Sequence, residues 1–243
     1  MKFSVNQKDL QNTLNYCQGV VEKRSTLPIL SNVLIEAKNE NLKVTATDLD
    51  LIFIQNISNI EILEEGETTT SCSIMYDIVR KFNNEKKINF NLVSENKINL
   101  ESDKSSFNLN CLQASEFPIT ESDFNDNNFL LNSKKLLKLL NKCKFSVSSD
   151  ETRHYLSGIF LHLTDNEDKK FLTAVATDSH RMAISKTLLP EEINFEPVIL
   201  PKKTIFQLCS LLDDYDGDVK ISLQQSQLIA IEWEYQKLYY QKR

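Results

Sequence analysis

Residues 30–54, LSNVLIEAKNENLKVTATDLDLIFI, and residues 156–184, LSGIFLHLTDNEDKKFLTAVATDSHRMAI, follow one plan at a spacing of about 130 residues. Each opens on Leu-Ser and alternates apolar with polar residues. Each then crosses a turn of Asn, Asp and Glu and ends a second alternating run on Ala-Thr-Asp. Alternation of period two is the pattern of a half-buried strand, and the short polar stretches are turn material. A chain that repeats such a unit folds as two similar domains.

The flanks repeat as well. NQKDLQNTLNYC at 6–17 and NSKKLLKLLNKC at 132–143 both open on a polar capping residue and place apolar residues at helical spacing. SIMYDIVRKF at 73–82 and KTIFQLCSLL at 203–212 read as second helices, and the alternating runs at 88–101 and 219–232 read as hairpins. The predicted fold class is α+β, with domains at 1–118 and 129–243 joined by an acidic, polar linker at 119–128. The first unit closes on SSFNLNCLQASEFP at 105–118. The second runs instead through WEYQKLYYQKR, so its last strand is expected to be incomplete or divergent.

Composition narrows the function. Five cysteines, an odd number with no Cys-x-x-Cys pair, argue against a disulfide framework and a zinc site. Four glycines leave no phosphate-cradling loop. No apolar run approaches the ~20 residues of a membrane span, and MKFSVNQKDL lacks the apolar stretch of a signal peptide. No membrane partner is expected, and the expected location is the cytoplasm. Asp178, Ser179 and His180 are adjacent on the chain. Neighbours on a strand face opposite ways, so they are not a nucleophile and base, and no catalytic residue, cofactor or metal is expected.

A net charge of −6 argues against nucleic acid unless the positive charge is gathered in one place. The helix expected from Ser133 to about Val147 gathers it. Leu136, Leu139, Leu140 and Cys143 fall on one side, and Lys134, Lys135, Lys138 and Lys142 on the other with no acid among them. Lys202 and Lys203 start the fourth helix, Arg80 lies on the polar side of the second, and Lys23 and Arg24 follow the first in a loop. Lysines contact phosphate as point charges, which suits duplex binding without sequence preference.

Several segments resemble the bacterial beta sliding clamp family, the beta subunit of DNA polymerase III: KRSTLPILSN at 23–32, TATDLD at 45–50, RHYLSGIF at 153–160, VATDSHRMAIS at 175–185 and PKK at 201–203. The resemblance runs over residues 1 to about 232. It implies the DNA clamp fold, with tandem domains of two helices packed on antiparallel sheets. It also implies a non-catalytic processivity factor, whose head-to-tail homodimer ring encircles double-stranded DNA. The implied partners are the DNA polymerase III catalytic subunit, the clamp loader and other clamp-binding peptides.

Carried over position by position, Arg24, His154 and Tyr155 are implied to touch DNA, and Leu156, Thr177, Ser179, His180, Arg181 and Met182 to line half of a partner-peptide pocket. Phe107 and Leu109 are implied at the subunit boundary. His154 stands where the family often has an aromatic residue, Ser73 where it commonly has arginine, and Ser179 where it usually has glycine. The family has a third domain with no counterpart in these 243 residues, so a monomer is the expected species. The alternative reading is a clamp remnant that forms no ring and acts at most as a protein-interaction module.

Overall fold

The computed structural model describes residues 1–24, 26–58, 60–83, 86–118, 128–150, 152–166, 169–189, 193, 196–224 and 228–241. Most of the expected linker, 119–127, lies outside the described residues. By packing, the chain divides into two compact units, Met1–Glu121 with Tyr235–Lys237, and Ser122–Glu234 with Leu238–Arg243.

The first unit comprises β1 (Lys2–Asn6), α1 (Gln7–Cys17), β2 (Asn32–Lys38), β3 (Asn41–Thr47), β4 (Leu51–Ser58), β5 (Glu61–Glu64), β6 (Gly66–Ser71), α2 (Cys72–Val79), β7 (Lys87–Ser94), β8 (Lys97–Ser102) and β9 (Ser105–Leu112). Its strands pair in the order β4-β3-β2-β6-β9-β8-β7-β1-β5, antiparallel throughout. The second comprises β10 (Asn128–Asn132), α3 (Ser133–Asn141), β11 (Gly158–Asn166), β12 (Lys169–Thr177), β13 (Met182–Leu188), β14 (Val198–Pro201), α4 (Lys202–Leu212), β15 (Asp218–Gln224), β16 (Leu228–Trp233) and β17 (Gln236–Gln241). There β13-β12-β11-β14 form one sheet, and β10, β15, β16 and β17 are successive neighbours in another.

The register repeats with the sequence. Leu34 faces Thr45 and Thr69 in the first unit, and Phe160 faces Val175 and Ile199 in the second. Thr47 faces Ile52, and Thr177 faces Met182. A one-residue slip would turn every buried side chain outward, so register is fixed wherever one face is buried.

Helix placement repeats through equivalent hydrogen bonds. At the start of α1, the Gln7 N–H donates to Lys86 O at 3.1 Å and its buried side-chain amide to Val79 O at 2.8 Å. At the start of α3, the Ser133 N–H donates to Gly217 O at 2.8 Å and its hydroxyl to Tyr215 O at 2.9 Å. In each unit the first residue of one helix is thus tied to the far end of the other, and the two helices run antiparallel. Asn6 and Asn132 cap α1 and α3 by accepting from Lys8 N and Lys134 N, as their positions in the sequence predict.

Three expectations are corrected. The helix read from Ser133 to about Val147 stops at Asn141, and a 3-10 turn, Lys144–Ser146, follows. The apolar spacing continues through it because Cys143 is buried, with its thiol on Ala174 O at 3.4 Å, so periodicity alone does not mark the break. The second helix ends at Val79 rather than Phe82. Residues 236–241, expected to form a tail in place of a closing strand, form β17 beside β16, with Leu238 buried.

Candidate nucleic-acid interface and partner groove

On α3, Leu136, Leu139 and Leu140 are buried, and Cys143 just beyond it is buried as well. Lys134, Lys135, Lys138 and Lys142 are exposed on the opposite side. Burying a leucine is worth about 1.5–3 kcal/mol, so three of them fix which side the lysines present. Lys202 and Lys203 are exposed in the first turn of α4, beside the end of α3, since Lys144 lies 5.7 Å from the Phe206 ring. One lysine is partly committed to the fold: Lys134 Nζ donates to Asp213 O at the C-terminal end of α4, at 3.0 Å.

The first unit presents a different helix surface. Arg80 pairs with Asp77 at 3.0 Å and lies over the Tyr76 ring, so its charge is matched locally. Arg24 is exposed in the loop after α1, with its N–H on the Glu22 carboxylate at 3.2 Å.

The expected pocket residues gather at two adjoining loops of the second unit. Thr177 Oγ1 accepts from Ser179 N and donates to Arg181 O at 2.8 Å. Asp178 Oδ1 accepts from the N–H groups of His180 and Arg181, and Oδ2 accepts from Arg181 Nε at 2.9 Å. These bonds hold the Asp178 carboxyl below the usual carboxylate range, the main-chain donors contributing most. Ser179 takes φ 77, in the left-handed region that favours glycine. The first unit builds the same turn: Thr47 accepts from Leu49 N, Asp48 accepts from Asp50 N and Leu51 N, and Leu49 has φ 85. The Thr-Asp pair is therefore turn chemistry, and the side chains beyond it, His180, Arg181 and Met182, are left exposed.

Across from this turn lies the loop 148–157. Arg153 pairs with Asp150 at 3.1 Å and reaches Ser179 Oγ at 3.4 Å. His154 and Tyr155 are exposed there, and Leu156 is half-buried with its carbonyl accepting from Ser148 N. Two side chains are not singled out by the sequence reading. Phe145 is exposed under the Arg181 guanidinium, 5.5 Å away, and Arg153 joins the two loops. A helix extended to Val147 hides Phe145; its signal is an aromatic residue just past the last helical turn.

At the proposed subunit boundary the two residues separate. Phe107 is 42% exposed and packs edge-on against Phe82 at 5.8 Å, whereas Leu109 is 6% exposed and belongs to the core. β9 pairs with β8 along its length but with β6 only at Leu112 and Cys111, so the other edge of 105–110 carries no strand among the described residues. No helix of the described residues is long and apolar enough to cross a membrane, and they hold no cluster of metal-ligating side chains.

Fold and site define a duplicated α+β protein, each copy carrying two antiparallel helices on antiparallel strands, with a lysine face on one of them. Residues 1–121 match the family described as DNA polymerase III beta subunit, N-terminal domain, and residues 130–239 match its central domain. The chain is 32% identical over 226 residues to a beta sliding clamp of Caulobacter vibrioides, covering 92% of this chain and 60% of that protein. It is 34% identical over 236 residues to that of Pseudomonas putida, covering 97% and 63%. The crystal structure of a DnaN sliding clamp from Bartonella birtlesii bound to griselimycin superposes with TM-score 0.94 at 34% identity, over 99% of this chain and 64% of that one. The chain therefore belongs to the DNA polymerase III beta subunit family, the beta sliding clamps, and spans about 60% of the length of the curated relatives it matches.

Proposed function

We propose that the protein acts in the cytoplasm as a sliding clamp, a non-catalytic processivity factor. In this reading its two units form part of a head-to-tail ring around duplex DNA that tethers DNA polymerase III and is opened by a clamp loader. The observation that carries the reading is the lysine face of α3 on a unit repeated in one register, in a chain whose relatives are beta sliding clamps. Lys134, Lys138, Lys142, Lys202 and Lys203, with Arg24, His154 and Tyr155, contact the phosphates. Such contacts are sequence-independent and leave the protein free to slide. Leu156, Thr177, Ser179, His180, Arg181 and Met182 take one side of a short peptide from each partner, with apolar anchors carrying most of the affinity. Phe107, on the open edge of β9, meets the neighbouring subunit.

Encirclement is tested by gel filtration of the protein loaded onto nicked circular duplex by a clamp loader with ATP. Co-elution with the circle that is lost on linearising the DNA is expected. Equal retention on linear DNA would contradict encirclement.

A further inference from the structure

Two aromatic rings stand exposed where the end of α3 meets the start of α4. Phe206 is 49% exposed and Phe145 56%. On α4, Ile205, Leu208, Cys209 and Leu212 are buried, and Phe206 shares the opposite side with Lys203 and Ser210. Each ring lies beside a cation: Lys144 Nζ is 5.7 Å from the centre of the Phe206 ring, and the Arg181 guanidinium 5.5 Å from that of Phe145. Lys142, Lys202 and Lys203 are exposed at the same end of the helix pair. The first turn of α4 holds no acid and no side-chain cap, so the positive end of the helix dipole adds to them. The opposite end of the pair is acidic, with Asp213, Asp214 and Asp216 exposed.

Counted from the caps Ser71 and Pro201, Tyr76 of α2 is the equivalent of Phe206. The cation beside Tyr76 is Arg80, 5.8 Å from the ring, and Asp77 neutralises it at 3.0 Å. The cation beside Phe206 stands instead among Lys142, Lys202 and Lys203. A phosphate is met by lysines alone and gains nothing from a ring. Paired bases are stacked inside their duplex, whereas an unpaired base has a free face, and aromatic rings interleaved with cations are the pattern that takes it. We infer, given the duplex reading of the α3 face, that this end of the helix pair holds a single strand of DNA continuing from the duplex. Phe206 and Phe145 stack unpaired bases, and Lys144, with Lys142 and Lys202, takes the phosphates beside them.

The probe is a fluorescein-labelled duplex with a single-stranded oligothymidine tail, titrated with the whole chain by fluorescence anisotropy. It is compared with the same duplex carrying an abasic tail of equal length and with a blunt duplex. The two tails have the same phosphates and differ only in their bases. The thymidine tail should bind about five-fold or more tighter than the abasic one. Phe206→Ala should remove most of that difference and Phe145→Ala/Phe206→Ala all of it, with blunt-duplex affinity unchanged. Lys144→Gln should weaken the binding of both tails. Both rings are exposed, so the variants should keep the parent circular dichroism spectrum. Equal affinity for the two tails, or a thymidine advantage that survives in Phe206→Ala, would overturn the inference. So would a loss confined to His180→Ala/Met182→Ala, which would give the tail to the partner groove. The blunt duplex isolates the clamp reading: a parent chain that fails to bind it contradicts that reading, whereas one that binds it and treats the two tails alike contradicts only the single-strand site.

Discussion

Lys134 Nζ sits 3.0 Å from Asp213 O, so the first lysine of the α3 face also closes the C-terminal end of α4. A cation at a helix C-terminus is worth about 0.3–1 kcal/mol. Lys134→Met should therefore lower stability by about that amount, while Lys138→Met, with its side chain exposed on the same face, should change it by less than ~0.5 kcal/mol. Urea denaturation of the two variants in parallel measures the difference.

Thr45 and Val175 occupy equivalent places in the two units, facing Leu34 and Phe160. Thr45 Oγ1 is buried, with no hydrogen-bond partner among the described residues. A buried hydroxyl left unsatisfied costs about 1–3 kcal/mol. Thr45→Val, which copies the second unit into the first, should raise stability by about 1 kcal/mol, read as a higher urea midpoint at unchanged m-value. The reverse change, Val175→Thr on a half-buried site, should have little effect.

The turn at Asp178 should open in acid. Its carboxyl is held down by the His180 and Arg181 N–H groups and by the Arg181 guanidinium. A depressed folded-state value means the contribution is fully present above the unfolded carboxylate value near ~3.9, and is lost as pH falls through the lower folded value. The window therefore lies below about pH 4. The amide signals of His180 and Arg181, followed by NMR through that range, should shift together. In Asp178→Asn, which has no titrating carboxylate, they should not.

Phe107 and Leu109 lie two residues apart on β9 and should respond differently. Leu109→Ala should cost roughly 2–5 kcal/mol, the range for truncating a buried leucine. Phe107→Ala should cost about 1 kcal/mol or less, because it removes only the edge-on packing against Phe82. Thermal unfolding separates them. Phe107→Ala is then the variant with which to probe association without unfolding the first unit.

Much of this is legible in the sequence because the repeat fixes strand positions twice. Leu34 and Phe160, or Thr47 and Thr177, are equivalent by spacing and by Ala-Thr-Asp alone. What escapes is local competition that periodicity does not encode. Cys143 continues the apolar spacing of α3, yet sits past the end of the helix, buried with its thiol on Ala174 O of β12. Leu238 and Tyr240 alternate with polar neighbours in LYYQ, a faint strand signal outweighed by the absent Phe-x-Leu pattern of β9. Leu109 and Phe107 share one face of β9 by parity, and only packing shows that one is enclosed and the other open. The lysine face is legible because three leucines orient it, whereas the tie between Lys134 and Asp213 is a tertiary bond between residues 79 apart.

The claim that α3 presents its lysines to duplex DNA is met most directly by measuring duplex affinity against salt for the parent chain and for Lys138→Glu/Lys142→Glu. The parent should bind unrelated sequences equally, with log affinity falling linearly in log salt. The double variant should weaken binding uniformly across sequences and flatten the slope by about 0.9 for each phosphate it no longer neutralises. An unchanged slope and affinity in the double variant, or a clear preference for one sequence, would contradict it.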